Sequence, residues 1–128
     1  MAHKILIIDD DIDLVEVLRI VLESHGYAVI DAQDGDRGFR LIENQKPDLV
    51  ILDVMMRTED EGFVVAEKIR STPLIADIPI IMLTAVTQQT GYPYNKNDET
   101  LPVNEFIEKP VMPNTLIRYI EKYLGKSR

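Results

Sequence analysis

The chain has 128 residues and a net charge of −8, from 14 Lys and Arg against 22 Asp and Glu, and it has no Cys. That length suits one domain whose core needs no staples, and it leaves no room for two full ones. The charge argues against direct nucleic-acid binding and against an anionic membrane surface, because both call for a basic face. The missing Cys excludes disulfides, thiolate metal sites and thiol nucleophiles, and it suits a cytoplasmic protein.

Apolar runs and helical patterns alternate from the start. Lys4 to Ile8 is β-branched and apolar throughout, which predicts a strand buried on both faces. It stops at Asp9, too short for a signal peptide, and nothing later approaches a membrane span. Leu14, Val17, Leu18, Val21 and Leu22 fall at helical spacing, with Asp11 or Asp13 to cap the start and Gly26 to close the end. Tyr27 to Ile30 predicts a second strand, and Phe39, Leu41 and Ile42 mark a second helix after Asp34-Gly35. Leu49 to Leu52 predicts a third buried strand, ending at Asp53. Gly62 opens a third helix with Phe63, Ala66 and Ile69 on one face. A fourth strand, Ile80 to Leu83, ends at Thr84, and a fifth, Val103 to Ile107, ends before Lys109-Pro110. The last helix follows Pro113, with Leu116, Ile117, Ile120 and Leu124 inward.

Strands alternating with helices imply parallel βαβ units, and right-handed crossovers place helices on both faces. The expected fold is α/β: a flavodoxin-like, doubly wound, five-stranded parallel sheet of order 2-1-3-4-5. Ligands in such a sheet bind beyond the carboxyl ends of the strands, beside the point where strand order reverses. That rule gathers Asp9 and Asp10 from the first strand, Asp53 from the third, Thr84 from the fourth and Lys109 from the fifth. Three carboxylates at one edge repel one another unless a cation intervenes, and a hard ion such as Mg²⁺ takes oxygen ligands of this kind. A metal, a carboxylate nucleophile, a hydroxyl and an ammonium are the parts of a phosphoryl transfer that leaves an aspartyl phosphate.

Four segments, Ile7-Ile8-Asp9-Asp10, Leu52-Asp53-Val54-Met55-Met56, Leu83-Thr84-Ala85 and Lys109-Pro110, occur in an order that resembles the receiver domain of two-component response regulators. The resemblance spans nearly the whole chain, read as one receiver domain over residues 1–128. It implies that Asp53 accepts a phosphoryl group from a histidine kinase or phosphotransfer protein. Asp10 would ligate Mg²⁺ directly, Asp9 through water, and Asp53 and the Met55 carbonyl would complete the protein ligands. Lys109 would pair with the phosphoryl group, Thr84 would swing to it, and Ala85 would leave room for that approach. Phe106 sits where the family carries its aromatic switch, though core packing explains it as well. The Lys109-Pro110 bond matches one that is often cis in the family. Such a protein is a phosphoacceptor, not a turnover enzyme, and it signals to a downstream protein or output domain.

Two stretches depart from the family pattern. Arg57-Thr58-Glu59-Asp60-Glu61-Gly62 replaces a shorter Pro-containing loop beside the acceptor. Between the fourth and fifth strands, Gly91, Pro93 and a polar cluster replace a helical pattern, so the fourth of the family's five helices is expected to be short or absent. In the family, signalling leaves through the face of that helix, the fifth strand and the fifth helix, so a loop at 87–102 could order on binding, with Tyr92 and Tyr94 as anchors. Apolar Met55 and Val86 beside the acceptor predict slow loss of the phosphoryl group, because neither holds a water. Asp31, Asp34, Asp36 and the acids at 59–61 read as solvated or capping charges, and His3 and His25 as structural or solvated. Three other readings compete: an unphosphorylated interaction module, a phosphatase of the haloacid-dehalogenase kind using Asp9 and Asp11, and a flavin carrier. The end at Gly125-Lys126-Ser127-Arg128 suits a free-standing receiver and equally one joined to an output domain.

Overall fold

Parallel strands inside an α/β sheet are covered on both faces, so their sequences run apolar without alternation. The computed structural model, which describes residues 2–54, 56, 61–84 and 102–125, has this pattern at its centre. In chain order the elements are β1 (Lys4–Ile8), α1 (Ile12–Ser24), β2 (Ala28–Ala32), α2 (Gly35–Gln45), β3 (Leu49–Asp53), α3 (Glu61–Arg70), β4 (Ile80–Thr84), β5 (Glu105–Glu108) and α4 (Pro113–Leu124). The strands form one parallel sheet of order β2-β1-β3-β4-β5, the order expected. Every residue of β3 and β4 is buried.

Alternate strand residues feed two separate cores. Ile5, Ile7, Leu49, Ile51, Ile81, Leu83 and Ile107 pack with Val15, Leu18 and Leu22 of α1 and with Leu116, Ile117 and Ile120 of α4. Leu6, Ile8, Val50, Leu52, Ile80 and Met82 face the other way, onto Phe39 and Ile42 of α2 and Val65, Ala66 and Ile69 of α3. The chain is thus doubly wound, with four helices among the described residues, two on each face. None of them is long and apolar enough to cross a membrane.

Local signals account for most boundaries. Asp11 caps α1 by accepting the Leu14 N–H, and Asp34 caps α2 by accepting that of Arg37. Gly26, at φ 90°, follows α1, and the Gly26 and Tyr27 N–H groups bond back to Glu23 and Leu22. That turn takes Tyr27, so β2 begins at Ala28 and runs on to Ala32, later than the sequence suggests. Val17 also differs: it is 54% exposed, because Val15, Leu18 and Leu22 centre the buried stripe. The Lys109-Pro110 bond is cis. Met55, Ala85, Val86, Tyr92, Tyr94 and almost all of the 87–102 stretch, with the expectations attached to them, lie outside the described residues.

Candidate functional site

Register brings the polar strand ends together. β1 and β3 are neighbours where strand order reverses, and Ile8 pairs with Leu52, so Asp9 comes level with Asp53. Asp53 ends β3 and Thr84 ends β4. Thr84 pairs with Glu108, which puts Lys109 one step beyond it, and the Lys109 N–H bonds the Thr84 carbonyl at 2.8 Å. All four segments named for the resemblance therefore reach one edge of the sheet. Oxygens of Asp9, Asp10 and Asp53 lie within 4.8 Å of one another. Lys109 Nζ stands 3.3 Å from Asp53 Oδ1 and 3.6 Å from Asp9 Oδ2.

The site is dry at its base and open at its rim. Asp9 is 0% exposed, Asp53 5% and Thr84 4%, whereas Asp10 is exposed. Burial pushes the Asp53 carboxyl up to about 7, the Asp9 charge adds to this, and Lys109 opposes it. Burial likewise raises Asp9, against the Asp11 N–H and Lys109, which favour its charged form. For Lys109 burial works downward, but the Asp9 and Asp53 carboxylates outweigh it and hold the ammonium above its usual range. One ammonium thus pairs with two of the three clustered carboxylates.

The donor set fits a hard divalent cation. Its side chains offer oxygen alone, and Asp10 gives access from solvent. Asp9 Oδ1 accepts the Asp11 N–H at 2.9 Å, while buried Asp9 Oδ2 makes no hydrogen bond and has only the Lys109 ammonium, at 3.6 Å, as a partner. A buried carboxylate oxygen without a donor is costly unless something else binds it.

Two further residues refine the sequence reading. Phe106 is half-buried against the α2–α3 core, its ring centroid 6.1 Å from that of Phe63. Glu61 is 8% exposed and accepts the Gly35 N–H at 2.7 Å. It is a capping charge, but a buried one that serves another helix. Only its place before Gly62 at the head of a helix hinted at this.

The chain is similar to proteins of known kind. It is 34% identical over 127 residues to the alkaline phosphatase synthesis transcriptional regulatory protein PhoP of Bacillus subtilis, covering 99% of this chain and 50% of that one. It is 45% identical over 85 residues to the DNA-binding dual master transcriptional regulator RpaA of Synechocystis, covering 66% of this chain and 35% of that one. A CheY-like response regulator receiver domain protein from Methanospirillum hungatei superposes with a TM-score of 0.80 at 29% identity, covering 97% of this chain and 94% of that one. The chain spans about a third to a half of the length of the curated relatives it matches. These relatives correct the expectation of no direct nucleic-acid binding by this chain, since both are transcriptional regulators and one is DNA-binding by name. The charge argument weighed the surface of this stretch alone and carried no information about what a longer protein attaches to it. The model of the response regulator receiver domain matches residues 5–121, and with strand order and sequence in agreement the chain belongs to that family, a signalling domain of two-component systems rather than a turnover enzyme.

Proposed function

We propose that residues 1–128 act as one receiver unit that takes a phosphoryl group onto Asp53 from the phosphohistidine of a histidine kinase or phosphotransfer protein. The observation that carries this reading is the meeting of Asp9, Asp10, Asp53 and Lys109 at the sheet's reversal point. An Asp53 carboxylate oxygen attacks phosphorus as the bond from phosphorus to the imidazole nitrogen breaks, and the nitrogen leaves with the electron pair. Asp9, Asp10 and Asp53, with the Met55 carbonyl, would hold Mg²⁺, which when bound neutralises charge on the phosphoryl oxygens. Lys109 exchanges its contacts with the carboxylates for a phosphoryl oxygen, and the Thr84 hydroxyl donates to another. Water later hydrolyses the acyl phosphate and restores the carboxylate.

Thr84 and Phe106 then carry the change outward, Thr84 from the end of β4 and Phe106 from β5, toward the face that β5 and α4 share. By likeness to PhoP and RpaA, the switch feeds a transcriptional output that acts on DNA, in the cytoplasm. The phosphatase reading needs Asp11 as its acid, whereas the Asp11 carboxylate caps α1.

Intact mass after incubation with acetyl phosphate tests the proposal. The expected result is a gain of one phosphoryl group in the wild type with Mg²⁺, lost with a chelator and lost in Asp53→Asn. A folded wild type that gains nothing from acetyl phosphate or from a phosphorylated histidine kinase overturns the proposal and leaves an interaction module.

A further inference from the structure

Among the described residues four polar or charged side chains are buried: Asp9, Asp53, Thr84 and Glu61. The first three belong to the site. Glu61 heads α3, yet its Oε2 accepts the N–H of Gly35, 26 residues away at the head of α2. The carboxylate therefore stands at the positive ends of two helices at once, where an anion is favoured.

Both glycines of this contact are close-packed. A Cβ on Gly35 would lie 2.6 Å from Val65 Cγ2 and 3.0 Å from Glu61 Oε2. A Cβ on Gly62 would lie 2.3 Å from the Asp53 carbonyl oxygen, and the Gly62 N–H bonds the Val54 carbonyl at 2.9 Å. The head of α3 is thus pressed against the backbone of the acceptor itself. On the other side, β2 leads through Asp34 into Gly35, and the β2 carbonyl of Ala32 accepts the Asp9 N–H at 3.0 Å. A continuous path runs from Asp53 through Gly62, Glu61, Gly35 and Ala32 to Asp9. It joins the two arms of a cluster whose like charges push them apart.

We infer that Glu61 is a positioning residue: it braces the Asp53 arm to the Asp9 arm from behind and so keeps the carboxylates at metal-ligating spacing. The inference rests on the proposed Mg²⁺ and phosphoryl site. It touches neither ion nor phosphoryl group, so its signature is metal affinity rather than loss of the acceptor.

Calorimetric titration with Mg²⁺ tests it on the wild type, Glu61→Ala, Glu61→Gln and a remote control, Ile120→Val, whose side chain lies in the α1–α4 core. Glu61→Ala is expected to weaken Mg²⁺ binding about tenfold, a typical loss when the supports of a metal site are removed. Glu61→Gln keeps an oxygen for the Gly35 N–H and is expected to restore most of that affinity. The control is expected to lower the melting temperature and leave affinity unchanged. Glu61→Ala binding as tightly as the wild type, or Ile120→Val losing as much affinity, would overturn the brace while leaving the site intact. A wild type that binds no Mg²⁺ would instead overturn the site reading, and the brace with it. If Glu61→Ala does not fold, Glu61→Asp, one methylene too short for Gly35, carries the same expectation and the same refutation.

Discussion

The two ends of the same sheet treat buried charge in opposite ways. At the amino end Arg70, half-buried at the close of α3, is well provided for: its guanidinium donates to the carbonyls of Ala76 and Ile78 and to Asn104 Oδ1, at 2.7 to 2.8 Å. Asn104 Oδ1 also accepts the Ile80 N–H at 2.8 Å, which locks the approach to β4 onto that of β5. At the carboxyl end, three carboxylates cluster around one ammonium that pairs with two of them, and buried Asp9 Oδ2 makes no hydrogen bond, only the 3.6 Å ion pair with Lys109. A fold can satisfy a buried charge, as the amino end does. Leaving one unsatisfied costs stability, and that cost marks where a ligand acts.

Removing charge should therefore have opposite effects at the two ends. Arg70→Met takes the guanidinium donor from the Ala76 and Ile78 carbonyls and one of two donors from Asn104 Oδ1, and should cost about 2–3 kcal/mol in denaturant unfolding, with Mg²⁺ affinity unchanged. Asp9→Asn relieves repulsion at the carboxyl end. With that buried charge gone, the metal-free protein should be more stable to denaturant, while Mg²⁺ binding weakens. A loss of stability in Asp9→Asn would break the comparison.

Acidity sharpens the same contrast. Asp53 titrates near 7 in the folded protein, above its value of 3.8 in an open chain. Between those values the folded state holds the proton and the unfolded state does not, so this group's contribution to stability falls as pH rises. The slope is at most about 1.4 kcal/mol per pH unit, and it flattens above the folded pKa. Mg²⁺ requires the ionised carboxylates and acts in the other direction. Melting curves with and without Mg²⁺ should coincide near about pH 5 and separate above about pH 7, where the carboxylates ionise. A smaller effect is expected at the β2 edge, where Arg19 bonds the outward Val29 carbonyl at 2.9 Å and pairs with Asp31. Arg19→Met should cost under about 1 kcal/mol but expose strand edge, seen as concentration-dependent self-association in sedimentation.

The carboxyl end was the legible one. Buried parallel strands read as unbroken apolar runs, so Asp9, Asp53 and Thr84 stand out as the residues that end them, while Lys109 follows a mixed strand and is marked by Pro110. One rule about where such sheets bind ligands then assembles the site. The amino end was not legible, because Arg70 finds Asn104 34 residues away through tertiary packing alone. The capping role of Glu61 is legible but its burial and its partner are not, for the same reason: nothing local says that Gly35 will offer its N–H. Val17 fits the helical spacing of its neighbours, but five apolar positions span more of α1 than the sheet can cover. Charge arithmetic erred differently, since net charge describes only the surface present and not what relatives attach to it.

In the proposed function Asp53, and no other carboxylate of the cluster, carries the phosphoryl group. Borohydride reduces an acyl phosphate of aspartate to homoserine, and tandem mass spectrometry locates it in the chain. After treatment with acetyl phosphate and Mg²⁺, homoserine is expected at position 53 alone. Homoserine at position 9 or 10, or phosphate recovered on a hydroxyl or histidine with Asp53 unmodified, would contradict it.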